Sequence, residues 1–264
     1  MAIAEVNGQE LYYEDSGGDG PAIIFSHGLY MDHEMFAPQV EALRDSWRCI
    51  TWDERAHGST VTSDDRFTYW DSAADLVGLL DHLGIERAVL AGMSQGGYLS
   101  LRAALAYPER VRALVLLDTQ AGVEDPEKVA AYTQLLELWG GEDGPPQELL
   151  DIVATIILGA GWEGTPAWQD KWRAKPVERV RQAFDTLVSR EDDVTPRLAE
   201  ITVPAIVVHG DEDAAIDVAS GTALAEALGA ELVLVPGGGH AANLTHPTET
   251  NAAVTRFLAA LGDE

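Results

Sequence analysis

Apolar residues recur along this chain in two alternating rhythms. Compact apolar runs at residues 11–14, 22–26, 48–52, 88–93 and 111–117 predict strands. Between them, residues 34–43, 68–83 and 95–107 carry apolar side chains at helical spacing, as at Ala73, Leu76, Val77, Leu80 and Leu83. Gly84 and Pro108 stand where two of these helices must stop. Near-continuous apolar strands separated by helices predict an α/β architecture, a mostly parallel sheet with helices on both faces.

The rhythm breaks over residues 122–197, where no strand pattern occurs. Helical patterns fill 126–138, 145–158, 166–174 and 176–189. Pro126, Pro166 and Pro176 stand at first helical turns, where a missing N–H costs nothing. Alternation then returns, with strands at 205–209 and 231–235 and helices at 219–228 and 248–261. The chain therefore divides into a core of residues 1–121 and 198–264 and a helical cap, 122–197, inserted between two strands.

Composition narrows the classes of function. The 264 residues are 46% hydrophobic and 23% charged, enough apolar material for a sizeable core. Acidic residues number 44 against 17 basic ones, a formal net charge of −27, which disfavours nucleic acid and anionic membranes as partners. The single cysteine, Cys49, excludes an internal disulfide and a cysteine-rich zinc site, and within Cys49-Ile50-Thr51-Trp52 it reads as a small buried hydrophobe. Residues 1–10 lack a basic, then apolar, leader pattern, and no apolar run approaches the ~20 residues of a membrane span. A cytoplasmic protein acting on a small molecule is the expectation; the sequence leaves its oligomeric state unknown.

One motif carries chemistry. Gly92-Met93-Ser94-Gln95-Gly96-Gly97 lies between a predicted strand and a predicted helix, the setting in which G-x-S-x-G forms a nucleophile elbow. So tight a turn needs small neighbours, and the helix behind it aims free N–H groups at the site. A serine hydroxyl needs a base, and the base needs an orienting acid. Of seven histidines, His240 ends the glycine-rich segment Pro236-Gly237-Gly238-Gly239 after a strand, which suits a ring swung over the sheet edge. His246 reads as a cap of the last helix, and His33 and His82 as solvated. The acid belongs to the loop after the preceding strand, where Asp211, Glu212 and Asp213 compete, with Asp118 as an outside candidate. The oxyanion donors expected are the N–H of Gln95 and one from the loop Ser26-His27-Gly28-Leu29-Tyr30, Leu29 before Tyr30, with Gly28 allowing close approach and His27 shaping the loop.

His27-Gly28, Asp53-Glu54-Arg55-Ala56-His57-Gly58, Gly92 to Gly97, Gly210 to Asp213 and Gly239-His240 together resemble the α/β-hydrolase superfamily over nearly the whole chain. The spacing is similar to that of compact esterases, cofactor-free haloperoxidases and 3-oxoadipate enol-lactonases. The resemblance implies an α/β-hydrolase fold, a Ser94–Asp213–His240 triad, Leu29 and Gln95 as oxyanion donors, and no metal or cofactor. Two departures stand out. Ala56 replaces the first glycine of D-x-R-G-H-G, so either Ala56 is strained or its loop is re-routed. Gln95 stands where methionine is frequent, with a side chain that either meets substrate or faces solvent.

The predicted cap holds four of the seven tryptophans. Trp168 and Trp172 share a helical face and, with Tyr30, are candidates for binding an apolar substrate; Trp139 and Trp162 read as structural, and Ile156-Ile157-Leu158 as cap interior. Residues 171–197 concentrate basic side chains, among acids that include Glu191. They either attract an anionic substrate or form a solvated, paired face, and the second reading is the plainer. The expected function is cleavage of a hydrophobic carboxylic ester or lactone through an acyl-enzyme on Ser94. The alternatives are a cofactor-free perhydrolase, or a ligand-binding module with a slow triad.

Overall fold

The computed structural model describes residues 2–140, 144–190 and 192–262. Its strands are β1 Ala2–Val6, β2 Gln9–Asp15, β3 Ala22–Ser26, β4 Arg48–Trp52, β5 Ala88–Met93, β6 Val111–Leu117, β7 Ala205–Gly210 and β8 Glu231–Val235. They form one 8-stranded sheet in the order β1-β2-β4-β3-β5-β6-β7-β8. β2 pairs antiparallel with both β1 and β4, and every other pairing is parallel.

Five helices surround the sheet: α1 Ala37–Leu43, α2 Tyr69–His82, α3 Gln95–Ala106, α8 Val218–Leu228 and α10 Pro247–Ala259. Between β6 and β7 run α4 Pro126–Trp139, α5 Gln147–Leu158, α6 Thr165–Ala174 and α7 Val177–Val188; a single turn, α9 Ala242–Thr245, precedes α10. Local signals set several ends. Thr68 caps α2 in a reciprocal pair with Asp71. The Asp125 carboxylate accepts the Glu127 N–H ahead of Pro126. Pro176 sits one place earlier than expected, as the residue preceding α7.

Alternation along the strands sorts the core into two layers. On one face Ile24, Leu90, Leu114 and Val207 pack with α2, α3 and α8; on the other Phe25, Val89, Val115 and Val208 pack with α1, α10 and the four helices 126–188. A strand one residue out of register would exchange these faces. β1 was not anticipated. It alternates in burial, with Ala4 and Val6 inward and Ile3 half exposed, and Asn7 and Gly8 turn it into β2 with φ of +49° and +77°. Cys49 is buried, and burial pushes its thiol up to about 11. No helix among the described residues is long and apolar enough to cross a membrane.

Candidate active site

Ser94 stands between β5 and α3 with φ +52° and ψ −116°, a conformation disfavoured for any residue with a Cβ. The surroundings over-determine it. The Ser94 N–H donates to the Leu117 carbonyl at 2.9 Å, and the Thr119 hydroxyl donates to the Ser94 carbonyl at 2.7 Å. A Cβ on Gly96 would collide with the Ser26 carbonyl, so β3 and α3 approach here only through glycine.

The loop after β8 brings His240 to the serine, its Nε2 lying 3.0 Å from Ser94 Oγ. The ring's Nδ1 lies 2.8 Å from Asp213 Oδ2, beyond the end of β7. Asp213 Oδ1 accepts the N–H groups of Ala215 and Ile216, which fixes the carboxylate's plane. The competing carboxylates are placed otherwise. Asp211 accepts the Gly237 N–H at 2.7 Å and so ties the two loops together, while the Glu212 N–H donates to the Gly238 carbonyl. Asp118 is buried and accepts the Gly210 N–H at 2.7 Å.

Burial alone would lower the His240 pKa. The Asp213 carboxylate, through its charge and its hydrogen bond, outweighs burial and holds the imidazole above its ordinary value. Asp213 itself is held well below the usual carboxylate range, because the histidine partners and backbone donors overcome its burial. Asp118 is pushed up by burial and then by the charge of Asp213. Asp118, His209 and Asp213 also bring one potential metal-ligating atom each within 4.8 Å of one another. Their bonds to Gly210, Ile216 and His240 already give the three an account within the loop structure.

The N–H groups of Leu29, Tyr30 and Gln95 donate to no acceptor among the described residues. Gln95 opens α3, so its N–H is one of the helix's unpaired donors. Tyr30 has φ +66°, and its carbonyl accepts both the Trp172 indole N–H and the Lys175 ammonium at 2.9 Å. His27 is buried, lies 2.9 Å from the Gly28 carbonyl through Nδ1, and accepts the Glu54 N–H through Nε2 at 3.0 Å. It shapes this loop and does not face Ser94.

Ser94 and His240 open into a pocket with about 630 Å³ of empty space, a figure that includes the adjoining open solvent. Tyr30 lines it. Trp168 and Trp172 do not, which corrects the sequence expectation. Their shared face does turn inward, but Trp172 is fully buried with its N–H spent on Tyr30, and Trp168 packs beneath the Lys171 ammonium at 4.5 Å. The apolar wall comes instead from Leu135, Val153, Ile156, Ile157, Phe184 and Leu187 on α4, α5 and α7. Ile156 and Ile157 thus line the pocket, and are not merely cap interior. Tyr98, Glu124 and Tyr132 also line it and were not anticipated. Only Tyr98 had a signal: it lies four residues after Ser94, on the same helical face.

Two further expectations change, and the alternative left open at Ala56 is decided. Gln95 neither meets substrate nor faces solvent. It is buried, donates to Glu54 Oε2 at 3.1 Å and accepts from the Tyr69 hydroxyl at 3.3 Å. His33 is not solvated but half-buried, its Nδ1 2.8 Å from Asp53 Oδ1, whereas His82 is exposed. Ala56 is strained and its loop is not re-routed: it sits at φ +63°, a region that costs an L-residue about 1–2 kcal/mol. The basic side chains of 171–197 are largely engaged: Lys171 with Asp32 and Glu34, Arg179 with Asp64, Arg190 with Glu124 and Arg197 with Glu200. None of them lines the pocket. Glu191 lies outside the described residues.

Glu54 is wholly buried with Oε1 unpartnered among the described residues, and burial, reinforced by the charges of Asp53 and Asp75, raises its pKa well above the ordinary value. A raised carboxyl pKa means stability that is full below the unfolded value, near 4.5, and is lost as pH rises toward the folded value. Glu54→Gln keeps the neutral shape and removes this titration. Tm measured from pH 5 to 9 is expected to fall less in the variant than in the wild type. Parallel curves would assign the alkaline loss to other groups.

Comparison with known proteins places the fold. Residues 21–247 match the family model described as the alpha/beta hydrolase fold. The 3-oxoadipate enol-lactonase 2 of Acinetobacter baylyi is 28% identical over 243 residues, 91% of this chain and 89% of that one. The crystal structure of the enol-lactonase from Burkholderia xenovorans LB400 superposes with a TM-score of 0.88 at 28% identity, covering 97% of this chain and 99% of that one. A thermophilic esterase from Thermogutta terrifontis, determined with malate bound, gives 0.87 at 26% identity, covering 99% of this chain and 98% of that one. An elbow serine between β5 and α3, a mostly parallel sheet and a family match over most of its length make this chain a member of the alpha/beta hydrolase family.

Proposed function

We propose that the protein is a serine hydrolase that cleaves a carboxylic ester or lactone of a hydrophobic small molecule through an acyl-enzyme on Ser94. The observation that carries this reading is the unbroken run from Ser94 Oγ to His240 Nε2 at 3.0 Å and from His240 Nδ1 to Asp213 Oδ2 at 2.8 Å. Asp213, holding Nδ1–H, leaves the Nε2 lone pair facing the hydroxyl. Ser94 attacks the acyl carbon as His240 takes its proton. The Gln95 N–H and that of Leu29 bind the oxyanion. His240 returns the proton to the leaving alkoxide, then takes one from a water that attacks the acyl-enzyme. As the bond to Ser94 breaks, His240 gives that proton to Oγ, the acid leaves and Ser94 is restored.

The helices over residues 122–197 serve as a cap whose apolar wall holds the substrate's chain. A lactone's alcohol stays tethered to the acyl-enzyme and can re-attack, so a lactonase must hold it away from the ester, against the pocket's apolar wall. Acid release from a matched macrolactone and open-chain ester, followed by pH-stat with Ser94→Ala as the blank, tests the reading. Turnover only with Ser94 intact supports it, and the ratio of the two kcat/KM values separates lactonase from esterase. Equal rates for wild type and blank count against it.

A further inference from the structure

The pocket's wall is apolar except for a few groups, and one of these is charged in a way the hydrolytic steps do not use. Glu124, in the loop between β6 and α4, is the one carboxylate among the described residues that line the pocket, and no lysine or arginine lines it. Its two oxygens are unequally employed. Oε1 accepts the Tyr98 hydroxyl at 2.9 Å, the Gln120 amide at 3.1 Å and Arg190 Nη2 at 3.2 Å. Oε2 accepts from no donor among the described residues and is not among the sealed, unpartnered buried atoms, and Glu124 itself lines the pocket.

The arrangement looks built. The Arg190 guanidinium carbon lies over the Tyr98 ring, 3.7 Å from its centroid, and Tyr98 is buried one helical turn beyond Ser94. Arg190 balances the carboxylate from behind but cannot serve an anionic ligand. Nη2 is spent on Glu124, and Nε and Nη1 are sealed from the pocket without partners among the described residues. Tyr132 lines the same pocket, and its hydroxyl makes no hydrogen bond among the described residues. A fixed acceptor in an apolar wall favours a ligand that donates to it, and it offers a second carboxylate no donor and a charge of the same sign.

We propose that Glu124 sets the specificity of this pocket: Oε2 selects esters or lactones whose chain carries a hydrogen-bond donor, a hydroxyl or an ammonium, and rejects those ending in a carboxylate. The proposal rests on the reading of Ser94 as nucleophile and names the substrate class for that site.

The test uses homologous series of linear ethyl esters ending in methyl, hydroxyl, ammonium or carboxylate. Alkylboronic acids with the same ends, which trap a nucleophilic serine without turnover, are measured by calorimetry. In the wild type, donor-ended esters are expected to exceed carboxylate-ended ones in kcat/KM by about a hundredfold, and the boronic acids to rank alike. Glu124→Gln can still accept at Oε1 and presents an N–H donor in place of Oε2, so that ratio is expected to shrink about tenfold or more. A larger loss for ammonium than for hydroxyl would mark charge, and equal losses the hydrogen bond; either supports the proposal. A wild-type order that ignores the end group, or a ratio unchanged in Glu124→Gln, overturns it. Boronic acids that bind in the expected order while no ester turns over support Glu124 and contradict hydrolysis. Binding of none overturns both readings.

Discussion

Replacing His240 with alanine is expected to lower kcat by about 10⁴- to 10⁶-fold while leaving KM within a few-fold. The ring is the one proton acceptor within hydrogen-bond distance of Ser94 Oγ among the described residues. Without it the hydroxyl must lose its proton to water in an apolar pocket. The binding wall from α4, α5 and α7 does not involve the imidazole, so substrate still enters. Initial rates on whichever ester the wild type turns over best, with circular dichroism to confirm folding, check this. A kcat within tenfold of wild type would mean that another group takes the proton.

Asp213→Asn is expected to cost about 10⁴-fold in kcat and to move the pH profile. In the wild type, rate falls as pH drops and His240 becomes protonated. The midpoint of that acid limb lies above the ordinary histidine value of 6.5, because Asp213 stabilises the imidazolium. Removing the charge leaves burial, which acts in the opposite direction, so the limb shifts to lower pH even as the rate collapses. Asp118 supplies the control. It adds to the raised His240 pKa by its charge but makes no hydrogen bond to the ring. A small loss in Asp213→Asn, with full loss only when Asp118 is also changed, would make Asp118 the orienting acid.

The parts of this fold that were legible from sequence are those where local chemistry leaves few choices. The elbow demands small residues around Ser94 and a strand-to-helix switch, and both can be read directly. The four helices between β6 and β7 announced themselves by period and by proline. Choosing Asp213 over Asp211 needed the family resemblance, since spacing alone cannot say which of three neighbouring carboxylates turns toward a loop 27 residues away in sequence. β1 escaped because it is a short edge strand, although Asn7-Gly8 was a usable hairpin signal.

Positions decided by tertiary packing were not legible. Helical spacing put Trp168 and Trp172 on one face, but nothing local says which surface that face meets. Trp172 meets the Tyr30 carbonyl, on a loop 142 residues earlier. Gln95 follows the same logic, its partners Glu54 and Tyr69 being brought in by other elements. Glu124 lies between a strand and a helix, where polar residues are ordinary, and gains its meaning only from the three donors that converge on one of its oxygens.

The central claim is that Ser94 is an activated nucleophile, and covalent capture tests it most directly. Intact-mass and peptide-mapping spectrometry after brief exposure to a fluorophosphonate should show one adduct on Ser94, none in Ser94→Ala, and labelling slowed by orders of magnitude in His240→Ala. Labelling at another residue, or at equal rates with and without His240, would contradict the account.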